Sequence, residues 1–374
     1  MKVVHITTVH QPFDTRIFHK ECTSLAQAGF DVSLIVTDNK EIKESVINKV
    51  KLHPIKKYNN RFLRFVLGSY HAYKVARTLN AAIYHIHDPE LLMIGKLLKK
   101  KDTIIIYDVH EDYETSIKQK PYLPRSIRLV LAKLFRLIER NLSKEMETCL
   151  AEKYYSRNFP NGLFLLNYPL IDKKQGFVKS ENTGSNRNFE LIYTGNVTED
   201  RGAFHHANII NIHPEVSVQI VGSCSVELAN KLAETANNST RLEIEGINTY
   251  VPRETIDARY TDRPKLAGLA LFPYTEHYAE KELTKFFEYM KAGIPILCSD
   301  FPSWKEFVLK HRCGIAVNPN QPEQIKEAID FLISNPEQAK AMGKNGQRAI
   351  LEGLNWETEK DKLVQWYKGL LDPI

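Results

Sequence analysis

No Asp-x-Asp pair, no Cys-x-x-Cys pair and no run of eighteen apolar residues occurs anywhere in the 374 residues. The first absence removes the common pair of carboxylates that holds a divalent ion against a diphosphate. The second removes the thiolate zinc site and the dithiol redox motif. The five cysteines, Cys22, Cys149, Cys224, Cys298 and Cys313, are odd in number and scattered, as suits reduced thiols of a cytosolic protein. The third absence excludes a membrane-spanning helix, and His5, His10 and Asp14 interrupt the N-terminal stretch before a secretory leader could form. Internal repeats and low-complexity tracts are also missing.

What is present suits two α/β domains. The length exceeds one ordinary core, and 43% hydrophobic with 26% charged residues is the balance of a soluble globular chain. Charge is unevenly spread. Residues 1–168 carry 27 Lys and Arg against 17 Asp and Glu, a balance of +10, whereas 169–374 carry 24 against 28, a balance of −4. No nucleic-acid motif accompanies the basic half, so an anionic membrane surface or a lipid-phosphate acceptor is the expected partner rather than nucleic acid.

Short apolar runs alternate with helical stretches, which predicts parallel sheets covered on both faces. In the first half the runs are Val3 to Thr7, Asp31 to Val36, Ile83 to Ile86, Thr103 to Tyr107, Thr148 to Ala151 and Leu163 to Leu166. A polar stretch, Lys173 to Asn188, reads as an interdomain linker with a loop. A second series follows at Phe189 to Gly195, Val216 to Val221, Leu242 to Ile244, Ala267 to Phe272 and Ile294 to Cys298. The expected division is 1–168, 169–355 and a C-terminal helix within 356–374.

Glu280 and Glu288, with seven residues between them, flank a predicted turn from the strand ending at Phe272-Pro273 to a helix over Lys285 to Lys291 closed by Gly293. Such a turn offers unpaired N–H groups and the positive end of a helix dipole, which suit a diphosphate. By spacing alone the two carboxylates could equally be a solvated helix face. In context, the segment resembles the retaining glycosyltransferases of family 4, which have the GT-B fold of two Rossmann-like doubly wound domains facing a central cleft. The resemblance extends over nearly the whole chain and is most specific between Ala279 and Asp300.

It implies that Glu280 contacts the donor sugar, Glu288 the ribose, and the Leu283, Thr284 and Lys285 amides the diphosphate. Where many members have a Gly-Leu-Pro-like turn, this chain has Glu282-Leu283-Thr284-Lys285, which adds the Lys285 ammonium to the phosphate contacts. The loop Thr194 to Gly202 lies between a strand and a helix, so Gly195, Asn196 and Arg201 are further donor-binding candidates. Members commonly carry two basic residues there; here Asn196 replaces one, leaving neutralisation to Arg201 and Lys285. A plain strand-to-helix turn remains the alternative. Gly222 is either the turn that admits base and ribose or an ordinary loop glycine.

His110, in Tyr107-Asp108-Val109-His110-Glu111, matches the family histidine near the donor sugar, and His87 ends the preceding strand. A hydrogen-bonded structural role is open for both. Zinc on His85 and His87, which share a strand face, lacks cysteine partners at ligand spacing, and the donor site is expected to need no metal or other cofactor. His10, Asp14 and Arg16 follow the first strand, in a run that resembles bacterial enzymes of surface-polysaccharide synthesis. They are acceptor-side candidates, with a mutual Asp14–Arg16 ion pair as the alternative.

Arg125 to Lys144 has helical period, with Ile127, Val130, Leu131, Leu134, Leu137 and Ile138 on one side and Lys133, Arg136, Arg140 and Lys144 on the other. It could lie on an anionic bilayer or pack on the sheet with its basic face in water. Arg61, Arg64, Lys74 and Arg77 add basic surface.

The resemblance therefore implies a cytoplasmic retaining hexosyl- or N-acetylhexosaminyltransferase, peripheral to the inner membrane face. It would move a sugar from a nucleoside diphosphate donor, UDP-linked, to a lipid-linked or growing saccharide. A sugar-nucleotide epimerase and a catalytically silent partner subunit are the rival readings.

Overall fold

The computed structural model describes residues 1–38, 44–120, 123–171 and 189–371. It divides into two compact units, Met1–Leu170 with Trp356–Ile374, and Ile171–Asn355. The expected linker, Lys173 to Asn188, lies outside the described residues.

In the first unit the strands are β1 (Lys2–Ile6), β2 (Asp31–Asp38), β3 (Ser45–Ile47), β4 (Val50–Lys56), β5 (Ile83–Ile86), β6 (Ile104–Val109), β7 (Glu147–Leu150) and β8 (Leu163–Phe164). They lie in the order β3-β4-β2-β1-β5-β6-β7-β8, parallel throughout except for the β3–β4 hairpin. The chain starts at β1, winds outward through β2, and crosses back to β5. A switch point thus lies between β1 and β5, where doubly wound sheets place ligands beyond the carboxyl ends of the strands. Successive residues of each inner strand serve opposite faces: Val3 joins a core with Ile17, Phe18 and Leu34, and Val4 one with Ile35, Ala72 and Ile86.

The β3–β4 hairpin was not expected. Its turn places Asn48 and Lys49 at positive φ, and Pro54 within β4 is a residue that usually argues against an inner strand.

The C-terminal helix Trp356–Gly369 belongs to this first unit. Trp356, Leu363 and Tyr367 enter the Val3 core, the Trp356 indole donates to Ser24 Oγ at 2.9 Å, and Glu359 accepts from the Leu166 amide at 2.8 Å. A fully buried leucine such as Leu363 contributes about 1.5–3 kcal/mol.

The second unit has β9 (Phe189–Thr194), β10 (Val216–Cys224), β11 (Leu242–Ile247), β12 (Lys265–Ala270), β13 (Ile296–Ser299) and β14 (Gly314–Val317). Their order is β11-β10-β9-β12-β13-β14, all parallel, with the switch point between β9 and β12. The glycine-led β14 was also absent from the sequence reading. Both units are doubly wound α/β folds, as expected.

In the helix Arg125–Ser143 only Ala132, Glu139 and Ser143 are buried. Its apolar side chains stay exposed, Val130 at 65% and Leu137 at 58%, together with Ile127, Leu131, Leu134 and Ile138. A second helical stretch of this unit, residues 61–79, exposes Phe62, Leu63, Phe65, Val66, Leu67 and Tyr70. Among the described residues no helix is long and apolar enough to cross a membrane.

Candidate functional site

In the second unit, the loops after β9 and β12 converge at the switch point. Gly195, at φ +105°, turns the chain out of β9. Gly222 packs against it so closely that a Cβ at 222 would lie 1.9 Å from the Gly195 carbonyl oxygen. That contact, rather than general loop freedom, requires glycine. Asn196 is exposed, and its carbonyl accepts from the Tyr193 hydroxyl at 2.7 Å.

After β12 the chain passes Glu280 and enters the helix Thr284–Ala292, which ends on Gly293 in the left-handed conformation. No side chain caps its N-terminus, so its first amides are open to an anion. The approach loop is pinned by the Trp304 indole donating to the Lys281 carbonyl at 2.7 Å.

Lys285, in the first turn of this helix, folds inward. Its ammonium is buried with no hydrogen-bond partner and lies 3.6 Å from the centroid of Tyr193 and 5.0 Å from that of Phe272. Burial, and secondarily Arg201, depress its pKa well below the ordinary lysine value, with Glu288 opposing. Arg201 is held by the Tyr278 hydroxyl, which accepts from its Nε at 3.0 Å. Arg201 and Lys285 thus lie close enough for the guanidinium to disfavour charge on the ammonium.

Glu280 and Glu288 are both half-buried. Glu288 accepts from the Tyr260 hydroxyl at 2.7 Å and pairs with Arg253, and Tyr260 also bonds Thr194 Oγ1 at 2.7 Å. Arg253 and Tyr260 were missed by sequence reasoning, because they come from the segment before β12 and belong to no local pattern. Tyr193 and Tyr278 were missed because aromatic residues beside strands read as core.

In the first unit, the loops after β1 and β6 bring His10 and His110 together, Nε2 to Nε2 at 2.9 Å. Asp14 joins them, 3.3 Å from His10 Nδ1. Burial alone would lower the His10 pKa, but Asp14, Asp88 and Glu111 outweigh it and hold it above the ordinary value. Burial would likewise raise Asp14, and His10 with the Ile17 and Arg16 amides overrides that to hold it well below the usual range. The same carboxylate caps the following helix, accepting from the Arg16 and Ile17 amides at 2.8 and 2.9 Å.

Arg16 and His87 are placed differently from the acceptor-side expectation. Arg16 is 6% exposed and forms a two-pronged pair with Asp108 at 2.9 and 2.7 Å, while its third nitrogen donates to the Leu165 carbonyl. It neither points to solvent nor pairs with the Asp14 side chain; the buried Asp108 carboxylate captures it. His87 is fully buried, with Nδ1 3.0 Å from Asp108 and Nε2 2.9 Å from His5 Nδ1. His110 also reaches Asp108, at 3.3 Å, so Asp108 orients it from below.

Residues 182–349 match the family described as glycosyl transferases group 1. An uncharacterized glycosyltransferase of Methanocaldococcus jannaschii is 33% identical over 85 residues, which are 23% of this chain and only about a fifth, 21%, of that protein. Among solved structures, sucrose-phosphate synthase from Thermosynechococcus elongatus superposes with a TM-score of 0.74 at 14% identity, covering 99% of this chain and 98% of that one. Anabaena HepE, solved in complex with UDP, superposes with a TM-score of 0.71 at 11% identity, covering 99% and 100%. The chain thus has the GT-B fold of these neighbours, with residues 182–349 similar to glycosyl transferases group 1.

Proposed function

We propose that the protein is a retaining glycosyltransferase of family 4. It transfers a hexosyl or N-acetylhexosaminyl group from a UDP-sugar to a hydroxyl of a lipid-linked or growing saccharide in cell-surface polysaccharide synthesis. The observation that carries this reading is the buried, unpartnered ammonium of Lys285 beside Arg201, at an uncapped helix N-terminus. An isolated buried cation is costly unless a ligand supplies the counter-charge, and a diphosphate does so. HepE, a structural neighbour, is a UDP complex, which supports the choice of nucleotide.

The donor belongs to the second unit, with Glu288 on the ribose and Glu280 on the sugar. The acceptor belongs to the first, beside His10, Asp14 and His110. In the transfer the bond from the anomeric carbon to the β-phosphate oxygen breaks, and the acceptor oxygen forms the new bond on the same face. The departing phosphate takes the acceptor proton. Lys285, Arg201 and the helix amides stabilise the charge that develops on the diphosphate, so the donor site requires no divalent ion. The protein works at the inner face of the cell membrane, on the strength of the exposed apolar and basic helix Arg125–Ser143.

Incubation with a panel of nucleotide sugars and saccharide-lipid acceptors, in excess chelator, tests this. Release of UDP that depends on acceptor, with the anomeric configuration of the product retained by NMR, is expected. Conversion of the donor without acceptor would identify an epimerase, and a strict need for added magnesium or manganese would overturn the metal-free donor site.

A further inference from the structure

Deep in the first unit, well inside the sheet, four side chains of metal-ligand type converge. His5 on β1 and His85 on β5 are register partners in neighbouring strands, His87 lies two residues along the same face, and Glu21 comes from the helix Thr15–Cys22 packed over them. All four are 0% exposed. Their nearest nitrogens and oxygen lie within 4.8 Å of one another.

The arrangement is centred on one atom. Glu21 Oε2 is 3.9 Å from His5 Nδ1, 3.8 Å from His85 Nδ1 and 3.9 Å from His87 Nε2. Yet neither Glu21 oxygen accepts a hydrogen bond, and His5 Nε2 has no partner either. Arg16 lies 3.1 Å from Glu21 Oε1, but its guanidinium is committed to Asp108. Glu21 and Asp108, both buried, therefore share the one guanidinium of Arg16.

We propose that His5, His85, His87 and Glu21 bind a divalent transition-metal ion, zinc by the chemistry of the set, as a closed structural site. Three imidazoles and one carboxylate form a tetrahedral zinc shell with bonds of about 2.0–2.2 Å. Binding draws Glu21 toward the three rings and opens the 2.9 Å contact between His5 and His87. The ion also takes over the His85 lone pair that the Tyr367 hydroxyl now meets at 2.7 Å. An outer partner is already in place: His87 Nδ1 hydrogen-bonds the Asp108 carboxylate, which fixes the tautomer that turns Nε2 inward. With four protein ligands and no open position, the ion holds the fold and takes no part in sugar transfer.

The experiment uses the whole chain, expressed with zinc in the medium. Elemental analysis should find one zinc per chain that survives brief chelation and leaves on unfolding in denaturant with chelator. Protein refolded without metal should melt several degrees lower, and zinc should restore the lost stability. Cobalt in its place should give the strong visible bands of a tetrahedral centre. Glu21→Gln and His85→Gln should each lose the ion. Wild-type protein that is folded yet substoichiometric in zinc, with the same melting temperature whether refolded with or without it, would overturn the proposal. So would zinc that persists in both variants.

Discussion

The ammonium of Lys285 sits 3.6 Å from the ring centroid of Tyr193, with no hydrogen-bond acceptor in reach. The ring face partly compensates the charge, as cation–π contacts do, but supplies no counter-charge. Replacing Lys285 by Met should therefore weaken UDP binding at least tenfold, about 1.4 kcal/mol, while leaving the free protein as stable as before or more so. Because the lysine pKa is depressed in the free protein and a diphosphate favours the charged form, binding should take up a proton above that depressed pKa. Calorimetry in buffers of different ionisation enthalpy measures this uptake, which should vanish in the variant. Unchanged UDP affinity would remove Lys285 from the donor site.

Glu288 is held by Tyr260 and Arg253. A hydrogen bond between a ribose hydroxyl and a charged group contributes about 1.5–3 kcal/mol, so Glu288→Ala should raise the UDP-sugar dissociation constant by one to two orders of magnitude. Tyr260→Phe removes only the orienting contact and should cost less. Titration calorimetry of the two variants ranks them, and equal losses would reverse the assigned roles.

The helix Arg125–Ser143 should bring the protein to anionic vesicles. Each cation near an anionic leaflet contributes about 1 kcal/mol, so neutralising Lys133, Arg136, Arg140 and Lys144 should release most of the salt-sensitive binding. Arg136 is already 3.3 Å from Glu114 and should matter least of the four. Changing Val130, Leu134 and Leu137 to Ser should abolish the salt-resistant remainder. Co-sedimentation at low and high salt decides. Equal binding by wild type and both variants would leave this helix an ordinary solvated one.

Burial, opposed by the Tyr107 hydroxyl, holds the Glu139 carboxyl at about 7 against an ordinary 4.5. The native state thus keeps a proton that the unfolded chain has lost. Stability from this group is full below about pH 4.5, declines as pH rises toward 7, and is flat beyond; the whole decline amounts to roughly 3 kcal/mol. Glu139→Gln should lack it. Urea unfolding of both proteins from pH 4 to 8 gives the comparison, and parallel curves would show that folding leaves the Glu139 carboxyl at its ordinary value.

Much of the fold was legible because inner parallel strands are apolar runs, and Val3 to Ile6 or Leu191 to Tyr193 can hardly be anything else. The strand-to-helix turn that carries Glu280, Lys285 and Glu288 was legible for a related reason: the three sit within nine residues, beside one helix start. Arg16 was misread because a charged residue after a strand looks solvent-facing, and the carboxylate that buries it is 92 positions away. The grouping of Glu21 with His5, His85 and His87 likewise exists only once β1 and β5 pair. In Arg125 to Lys144 the helical period was plain, but which side the rest of the protein covers is a property of its neighbours and not of its own spacing.

The C-terminal helix has a consequence for synthesis on the ribosome. Residues 171–355 are contiguous and can fold as they emerge, but the first unit lacks Trp356, Leu363 and Tyr367 until residues 356–371 are made. At about 5–20 residues per second, the unfinished face around Val3 and Leu34 waits on the order of ten to forty seconds for its closing segment. During that interval the nascent chain presents a hydrophobic surface that a chaperone can hold. A stop codon near residue 355 would make the exposure permanent.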